Sequence, residues 1–299
     1  MRILVLGFTG YLGAHVAERL RALPGARVLG AGRSPGADHE VDLASVRPGE
    51  LAKILTAAAP DAVVNCAGAT GGDAVTLAEV NARGPAVLCA ALREAAPGAR
   101  LVHLGSAAEY GPGAAGIPVT ESAATCPAGP YGATKLAGTV AVTASGLDAV
   151  VLRVGNPVGP GAPAAGLPGR LAALLRESDR GPDAVLRLGD LSAYRDFVDV
   201  RDVARAVELA VTVPGPLPGI LNVSAGRAVP VRELVLGLAS RAGFRGRVEE
   251  AVSGGRSVRS AEVSWQCSDV TAAGQALGWR PQHSLDEALA ALWEGDGTP

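Results

Sequence analysis

The sequence predicts an α/β fold, with a doubly wound parallel sheet in the first half of the chain and a smaller α/β lobe in the second. In the first half, short apolar runs alternate with helical patterns, which is typical of successive βαβ units. The apolar runs show little polar alternation, so we expect helices on both faces of their sheet. Of the 299 residues, 48% are hydrophobic and 19% are charged. This composition supports a large core and excludes a disordered chain.

Charge and residue distribution exclude several functional classes. The chain has 27 basic and 29 acidic residues and no block of one sign, so neither nucleic acid nor an anionic membrane is an expected partner. No apolar run approaches the roughly 18 residues of a membrane span, and Gly7 and Gly10 interrupt the apolar start of the chain. Its four cysteines and four histidines are scattered without the spacing of metal ligands. We therefore expect a cytoplasmic protein without a metal site.

The first half contains the strands and helices of the predicted sheet. Strands are predicted at Arg2–Leu6, Arg27–Ala31, Ala62–Asn65, Leu101–Leu104 and Ala149–Arg153. Helices are predicted near Gly13–Ala22, Gly49–Ala58, Ala74–Ala95 and Tyr131–Ala144.

The pattern changes after residue 155, because proline and glycine crowd residues 157–169. Further helices are predicted near Leu171–Glu177, Val200–Val211, Val231–Ala242, Ser268–Leu277 and Leu285–Trp293. Strands are predicted near Ala184–Leu188, Gly219–Val223 and Arg247–Val252. We expect one of these strands to extend the first sheet and the others to form the lobe. The predicted domains are therefore residues 1–155 and 156–299, with a segment at about 195–225 returning to the first.

A glycine-rich turn follows the first predicted strand and opens a helix. Glycines here let the backbone approach a pyrophosphate, and the helix offers unpaired N–H groups and its positive dipole end to the phosphates. The predicted dinucleotide contacts are Gly7, Thr9, Gly10, Tyr11, Leu12 and Gly13. Their GxxGxxG spacing differs from the GxGxxG of common dehydrogenases and points to the short-chain dehydrogenase/reductase arrangement. Residues 1–155 are thus expected to be a Rossmann domain and residues 156–299 mainly a substrate-binding lobe.

The end of the second strand indicates which dinucleotide is preferred. An NAD site would place Asp or Glu there for the ribose, whereas this chain has Arg33 and Ser34. The Arg33 guanidinium suits a 2′-phosphate, so we predict NADP(H), with NAD(H) possible. The alternative is that Arg33 is a solvated loop residue. Further cofactor contacts are predicted at Asp42, Leu43, Cys66, Ala67 and Gly68.

A second group of residues indicates the chemistry. Ser106 follows a predicted strand, and Tyr131 and Lys135 lie one turn apart on one helix face. A phenol is a poor acid–base catalyst at its usual pKa of about 10, and a neighbouring ammonium favours the phenolate. We predict that Ser106 binds the substrate oxygen, Tyr131 transfers the proton, and Lys135 lowers the pKa of Tyr131. Tyr131 and Lys135 are also predicted cofactor contacts.

These motifs resemble those of the extended short-chain dehydrogenases/reductases of the NAD-dependent epimerase/dehydratase family, over nearly all of the chain. The matching segments are GFTGYLG at 7–13, NCAG at 65–68, VNARG at 80–84, LGSAAEYG at 104–111, YGATK at 131–135, LRVGNPVGPG at 152–161, YRDFVDVRDVA at 194–204, LNV at 221–223 and LGWRP at 277–281. The resemblance implies a cofactor contact at Asn81. It also implies a nucleotide-diphosphate sugar as substrate, bound between the two lobes.

The resemblance also implies which residues bind that substrate. Ser106 and Ala107 would contact the sugar, as would Asn156, while Arg195 and Arg259 would clamp the diphosphate. A guanidinium can bind phosphate oxygens with two hydrogen bonds. For Arg259, a simple salt bridge is the alternative.

The residues beside Ser106 narrow the choice of reaction. Sugar 4,6-dehydratases that resemble this chain have an Asp-Glu pair there, whereas this chain has Ala107 and Ala108. Epimerase-reductases need further Cys and His groups, and no histidine lies between His103 and His283. Residues 189–202 are similar to reductases of nucleotide-linked 4-keto-6-deoxyhexoses. We predict such an NADPH-dependent 4-ketoreductase of deoxysugar biosynthesis; the alternatives are a sugar-nucleotide 4-epimerase and a non-catalytic NADP-binding regulator.

The expected oligomer is a homodimer. Members of the family often pair through the helix that carries YxxxK and its neighbour, here the predicted helix Ala74–Ala95. The small residues Ala133, Ala137 and Ala141 suit such a contact. Packing inside the core explains them equally well.

Overall fold

A parallel seven-stranded sheet forms the centre of the molecule and includes one strand from the second half of the chain. The computed structural model describes residues 1–250 and 263–295. Its strands, in chain order, are β1 (Arg2–Leu6), β2 (Arg27–Gly32), β3 (His39–Glu40), β4 (Ala62–Asn65), β5 (Arg100–Ser106), β6 (Ala149–Val154), β7 (Asn156–Val158), β8 (Val185–Leu188), β9 (Tyr194–Asp199), β10 (Ile220–Val223), β11 (Ala228–Pro230) and β12 (Arg247–Glu250). The order across the central sheet is β10-β6-β5-β4-β1-β2-β3. The predicted fold class is confirmed.

Helices cover both faces of this sheet. In chain order they are α1 (Tyr11–Arg21), α2 (Pro48–Ala58), α3 (Ala74–Ala78), α4 (Gly84–Ala95), α5 (Pro130–Thr143), α6 (Leu167–Glu177), α7 (Val200–Thr212), α8 (Val231–Arg241), α9 (Thr271–Leu277) and α10 (Leu285–Gly295). One core cluster contains side chains of α1, α7 and α9, and the other contains side chains of α2 and α4. This two-sided burial explains why the strands are continuous apolar runs. Within the described residues, no helix is long and apolar enough to span a membrane.

The smaller lobe has its own core and two short sheets. β11, β9 and β7 form one sheet, in which β9 pairs antiparallel with β11 and parallel with β7. β8 and β12 form the other, a parallel pair. A third hydrophobic cluster joins α6, α8 and α10 to these strands. Because β10 pairs with β6, β10 is the strand from the second half of the chain that extends the central sheet.

The prediction of one continuous helix over Ala74–Ala95 is wrong, because the structure interrupts it in the middle. A π-helical turn over Glu79–Arg83 separates α3 from α4. This turn buries Asn81, whose side-chain amide forms two hydrogen bonds with the backbone of Ala69 (2.8 and 2.9 Å). The extra residue in the turn is therefore associated with fixing the loop after β4.

Other differences from the prediction lie in the second half. The helix predicted from Ser268 begins at Thr271, because Ser268 forms a β-bridge with Val119 and Asp269 N donates to the carbonyl oxygen of Val119. The short strands β7, β9 and β11 were not predicted; β9 carries Arg195 and two aspartates that hide its apolar alternation. The last two residues of the strand predicted at Arg247–Val252 lie outside the described residues.

Candidate active site

The carboxyl ends of β1 and β4 mark the point at which the strand order of the central sheet reverses. The chain proceeds from β1 to β2 in one direction and from β4 to β5 in the other, so the strand order reverses between β1 and β4. Ligands of open α/β sheets bind outside the carboxyl ends of the strands at such a point. The predicted glycine turn, the loop after β4, and Ser106 all lie at this edge.

Two glycines of the turn are required by close backbone contacts. Gly7 has φ +73°, and a Cβ atom there would lie 2.7 Å from Ala67 N. A Cβ atom on Gly13 would lie 2.0 Å from the carbonyl oxygen of Gly7. Both distances are below any normal contact, so a side chain at either position would push the turn, α1 and the β4 loop apart. The turn is thus packed against the sheet as a phosphate-binding turn must be.

The N-terminus of α1 faces the same edge. Its N-cap residue is Gly10, which makes no side-chain capping hydrogen bond. Thr9 and Ser34 meet through their hydroxyl groups at 2.9 Å, which joins this turn to the end of β2. The Tyr11 hydroxyl donates to the carbonyl oxygen of Gly159 (3.4 Å), and Leu12 packs against the core. The glycine cradle and the uncapped helix end fit a dinucleotide, which when bound would supply the hydride donor or acceptor.

Two side chains of opposite charge lie at the end of β2. Arg33 is exposed there. Asp38 lies beside the same strand, and its Oδ2 accepts a hydrogen bond from Gly30 N at 2.7 Å. Asp38 was not predicted as a site residue, because it lies beyond the end of β2 in the sequence. The chain turns back between residues 33 and 38 and brings its carboxylate beside the strand.

The Asp42–Leu43 segment is held by a residue that was not predicted as a site residue. The Arg83 guanidinium donates to the carbonyl oxygens of Leu43 (3.3 Å), Ala44 (3.0 Å) and Val46 (2.9 Å). The Asp42 carboxylate accepts from Ala44 N at 3.1 Å. These bonds fix the loop that follows β3.

The loop after β4 passes beside Lys135. A Cβ atom on Gly68 would lie 3.4 Å from the side-chain oxygen of Asn81 and 3.8 Å from Lys135 Nζ. The preceding Ala67 N donates to the Asn65 side chain at 3.1 Å. Burial raises the pKa of the Cys66 thiol to about 12, so this thiol stays neutral. The structure therefore places Cys66, Ala67, Gly68 and Asn81 next to Lys135.

The helix that carries Tyr131 and Lys135 packs against the end of β5, where Ser106 lies. Gly132, the neighbour of Tyr131, is packed so closely that a Cβ atom would lie 2.5 Å from the carbonyl oxygen of Ala108, two residues after Ser106. Lys135 is buried, and its Nζ donates to the carbonyl oxygen of Leu104 at 2.5 Å. The start of α5 thus lies directly on the turn that follows Ser106.

Electrostatics at this point suit proton transfer. Burial lowers the pKa of Lys135 to about 8, and the carboxylate of Glu109 opposes this shift. The Ser106 hydroxyl oxygen accepts a hydrogen bond from Ala108 N at 3.2 Å, which leaves the hydroxyl proton for an acceptor on the substrate. Tyr131 is half-buried at the first turn of α5. The arrangement can hold a carbonyl oxygen and exchange a proton with it.

On the lobe side, the predicted substrate residues lie on β7 and β9. Asn156 Nδ2 donates to the carbonyl oxygen of Asp196 (3.1 Å) and to Gln266 Oε1 (3.2 Å). Arg195 is largely buried and donates to the carbonyl oxygen of Tyr194 at 2.7 Å. Gln266 was not predicted, because its partner Asn156 lies 110 residues earlier.

Two further predicted substrate residues need comment. Ala107, directly after Ser106, is 2% exposed, so it offers little surface to a ligand. Arg259 lies outside the described residues.

Comparison with known proteins identifies the family. A model of the NAD dependent epimerase/dehydratase family matches residues 3–224. The chain belongs to this family. It is accordingly an NAD(P)-dependent enzyme of the extended short-chain dehydrogenase/reductase type, and the predicted family and enzyme class are confirmed.

Three relatives within this broad family are informative. The chain is 38% identical to the dTDP-6-deoxy-L-talose 4-dehydrogenase (NAD(P)(+)) of Kitasatospora kifunensis, over 99% of this chain and 96% of the relative. The structure of RMD from Pseudomonas aeruginosa complexed with NADPH is similar, with 25% identity, 98% coverage of each chain and a TM-score of 0.84. MoeE5 in complex with UDP-glucuronic acid and NAD has 28% identity, 99% coverage of each chain and a TM-score of 0.83. Relatives thus bind either NADPH or NAD.

Proposed function

We propose that the protein is an NADPH-dependent 4-ketoreductase of a nucleotide-diphosphate 4-keto-6-deoxyhexose, active in deoxysugar biosynthesis. The observation that carries the proposal is the composition of the site. Tyr131 with Lys135 is one acid–base pair, and Ser106 is followed by two alanines. One such pair suffices for a single proton transfer to a carbonyl oxygen.

The surroundings of Ser106 argue against elimination of water. The carboxylate nearest to it along the chain is Glu109, which is fully buried. One carboxylate oxygen accepts from Ser106 N and the other from Arg153 Nε. Because both oxygens are engaged, Glu109 is not a free base for removing a proton from a sugar carbon.

The proposed roles follow from these contacts. Ser106 donates its hydroxyl proton in a hydrogen bond to the substrate carbonyl oxygen. Tyr131 gives its proton to that oxygen as negative charge develops on it. Lys135 stabilises the phenolate that remains, because its ammonium lies one helical turn away.

Relatives support the choice of sugar and carbon. The relative with 38% identity is named for dehydrogenation at C4 of a dTDP-linked 6-deoxyhexose. Oxidation of an alcohol and reduction of the corresponding ketone are the two directions of one reaction. We propose the direction of reduction because Arg33, exposed at the end of β2, favours NADPH over NAD.

The decisive assay measures NADPH consumption by the purified protein with dTDP- and GDP-linked 4-keto-6-deoxyhexoses. We expect consumption with at least one of them. In the Tyr131→Phe variant, the rate should fall by about 10²-fold or more, which is the usual contribution of a positioned general acid. No consumption with any of these ketones would contradict the proposed reaction.

The same assay separates the alternatives. A 4-epimerase would interconvert sugar nucleotides that differ at C4 without net cofactor consumption, and chromatography of the products would detect this. A regulator that only binds NADP would bind it equally well with Tyr131→Phe and show no turnover in either form.

We also propose that the enzyme is a homodimer that pairs through α4 and α5. Ala133, Ala137 and Val140 are exposed along one stripe of α5, so packing in the core of the subunit does not explain them. Val140→Glu should give a monomer by size-exclusion chromatography with light scattering. Leu236→Glu, at an equally exposed leucine on α8, should leave the dimer intact. Equal masses for the two variants would contradict this interface.

A further inference from the structure

Glu109 lies beneath the proposed active site, in a buried ion pair with Arg153. Its side chain is inaccessible to solvent. Its Oε1 accepts from Ser106 N at 2.8 Å, and its Oε2 accepts from Arg153 Nε at 2.7 Å. One carboxylate therefore binds both the residue predicted to hold the substrate and a buried cation.

The neighbouring strands are shaped around this carboxylate. Gly105 and Arg153 are partners in the β5–β6 register. A Cβ atom on Gly105 would lie 2.8 Å from Glu109 Oε1, so any larger residue would displace the carboxylate. The guanidinium of Arg153 stacks over the ring of Tyr110 at 4.5 Å, and the Tyr110 hydroxyl donates to Asn222 at 2.7 Å. Two hydrogen bonds therefore fix the Glu109 carboxylate, and the Arg153 that makes one of them is itself held by Tyr110.

Burying Lys135 is unfavourable unless an anion compensates for its charge. Three titratable groups on other elements face Lys135, namely Cys66, His103 and Glu109. Cys66, at the end of β4, stays neutral because burial raises its pKa. His103, on β5, is also neutral because burial, and then the charge of Lys135, lowers its pKa well below the usual value. On α5 itself, Tyr131 is one turn away. Glu109 is the carboxylate among these groups. Its Oε1 lies beside Gly105, the residue after Leu104, whose carbonyl oxygen accepts from Lys135 Nζ, and its charge favours the protonated lysine.

We propose that Glu109 is a positioning residue that fixes the backbone of Ser106 and acts as the counter-charge that keeps Lys135 protonated. The proposal rests on the proposed function in so far as Lys135 serves Tyr131. Its physical content is a charge interaction between Glu109 and Lys135, which exists whether or not a sugar is bound. A neutral Lys135 would no longer stabilise the Tyr131 phenolate.

The lysine content of the chain allows a direct test. Lys53 and Lys135 are the only lysines in the sequence, and Lys53 is exposed on α2. Protein labelled with ¹³C at the lysine ε-carbon therefore gives two NMR signals, and Lys135→Met assigns them. The pH at which each signal shifts reports the protonation of that amine in the full-length protein, without substrate.

In the wild type, we expect the Lys135 signal to titrate near pH 8. In Glu109→Gln, its midpoint should fall by about one pH unit or more, because the buried ammonium loses its anion. Lys53 should be unchanged and serves as the internal reference. A Lys135 midpoint that is the same in both proteins would overturn the proposal.

Two further variants keep the test decisive if Glu109→Gln does not fold. Arg153→Gln removes the cation that is paired with Glu109, so the titration midpoint of Lys135 should rise; no change would also refute the proposal. Glu121→Gln is the matched control, because Glu121 likewise accepts a backbone N–H, from Asn222 at 2.8 Å, and is not among the charges that act on Lys135. It should leave the midpoint where it is.

The titration is independent of the proposed reaction. If Lys135 titrates as expected while no sugar nucleotide is reduced, the proposed substrate is wrong and the role of Glu109 stands. If a ketone is reduced but Glu109→Gln leaves the titration midpoint of Lys135 unchanged, the proposed reaction stands and the proposed role of Glu109 is wrong.

Discussion

The two edges of the candidate site are built in different ways. On the dinucleotide edge, formed by the carboxyl ends of β1, β2, β4 and β5, the tightest turn is held by contacts between backbone atoms, at Gly7 and Gly13. On the lobe edge, formed by β7, β9 and residues 263–269, side chains bind distant backbone groups. Asp196 accepts from Ala225 N (2.9 Å), Gly226 N (3.2 Å) and Ser268 N (3.0 Å).

This difference has a functional meaning. A dinucleotide presents the same pyrophosphate to every enzyme that binds it, so a backbone cradle with no side chains can serve many sequences. The lobe edge is the proposed substrate side, and side-chain hydrogen bonds can be exchanged there one at a time. We expect the dinucleotide edge to tolerate fewer substitutions than the lobe edge.

The largest effect should come from adding one methyl group to the dinucleotide edge. Gly13→Ala would place a Cβ atom 2.0 Å from the carbonyl oxygen of Gly7, and relief of this overlap should cost about 3 kcal/mol of unfolding free energy. Chemical denaturation measures this loss, and calorimetry should show that NADPH binding is lost. Gly49→Ala is the control, because nothing lies within 4 Å of a Cβ atom there. A similar stability for both variants would contradict the backbone cradle.

On the lobe edge, Asp196→Asn tests the side-chain contacts. An amide has one oxygen for three N–H donors, so at least one buried donor loses its partner, at a cost of about 1–3 kcal/mol. Hydrogen exchange should increase in β9 and at Ser268, with little change in β1. Asp61→Asn provides the comparison, since Asp61 is an exposed carboxylate that also accepts a backbone N–H, from Arg2 at 2.6 Å. Uniform exchange across both edges in Asp196→Asn would argue against a local role.

Lys135 connects function to stability. Its pKa is about 8 in the folded protein, below the usual 10.5, so the unfolded chain binds more protons between these values. The stability of the wild type should therefore rise as pH increases from about 8 to 10.5. Lys135→Met removes the buried charge and should stabilise the protein at pH 7 by about 1–2 kcal/mol, less than the full shift implies, because Leu104 O loses its donor.

Chemical denaturation of the wild type and of Lys135→Met at pH 7 and pH 10 tests the predicted direction of this change in unfolding free energy. The advantage of the variant should shrink at pH 10, where the wild-type lysine is neutral when folded. Reductase activity should be lost in the variant at both pH values. A variant that is less stable than the wild type at pH 7 would mean that the buried charge is fully compensated.

The sequence was sufficient where the determining contacts are local. β1 and β4 are observed with the predicted bounds, because each is an apolar run that ends in a glycine- or polar-rich loop. Ser106 lies at a strand end and Tyr131 and Lys135 lie on one helix, as the sequence predicted, while their catalytic role stays a prediction. These signals lie within a few residues of one another, where periodicity and turn chemistry are informative.

Longer-range contacts were missed for a physical reason. Asn156 and Gln266 are 110 residues apart, and nothing in either neighbourhood indicates the other. Glu109 is different, since the Ser-x-x-Glu spacing after β5 is a capping-box pattern that could have indicated its bond to Ser106 N. Its pairing with Arg153 depends on the strand register and could not be predicted locally. The π-helical turn over Glu79–Arg83 likewise reflects the loop that Asn81 binds.

The smallest effect concerns Arg33, an exposed side chain of the dinucleotide edge. Arg33→Ala should raise the KM for NADPH about tenfold and leave that for NADH nearly unchanged, because a guanidinium–phosphate contact contributes about 1–2 kcal/mol at an exposed site. Arg27→Ala, at the opposite end of β2, should change neither KM, although Arg27 is equally exposed. If Arg33→Ala weakens both cofactors equally, the arginine contacts a group common to both, and Asp38 becomes the better candidate for choosing between them. The choice between NADPH and NADH would then depend on the loop after β2. This part of the dinucleotide edge would resemble the lobe edge, because a side chain, Asp38, binds a backbone N–H there.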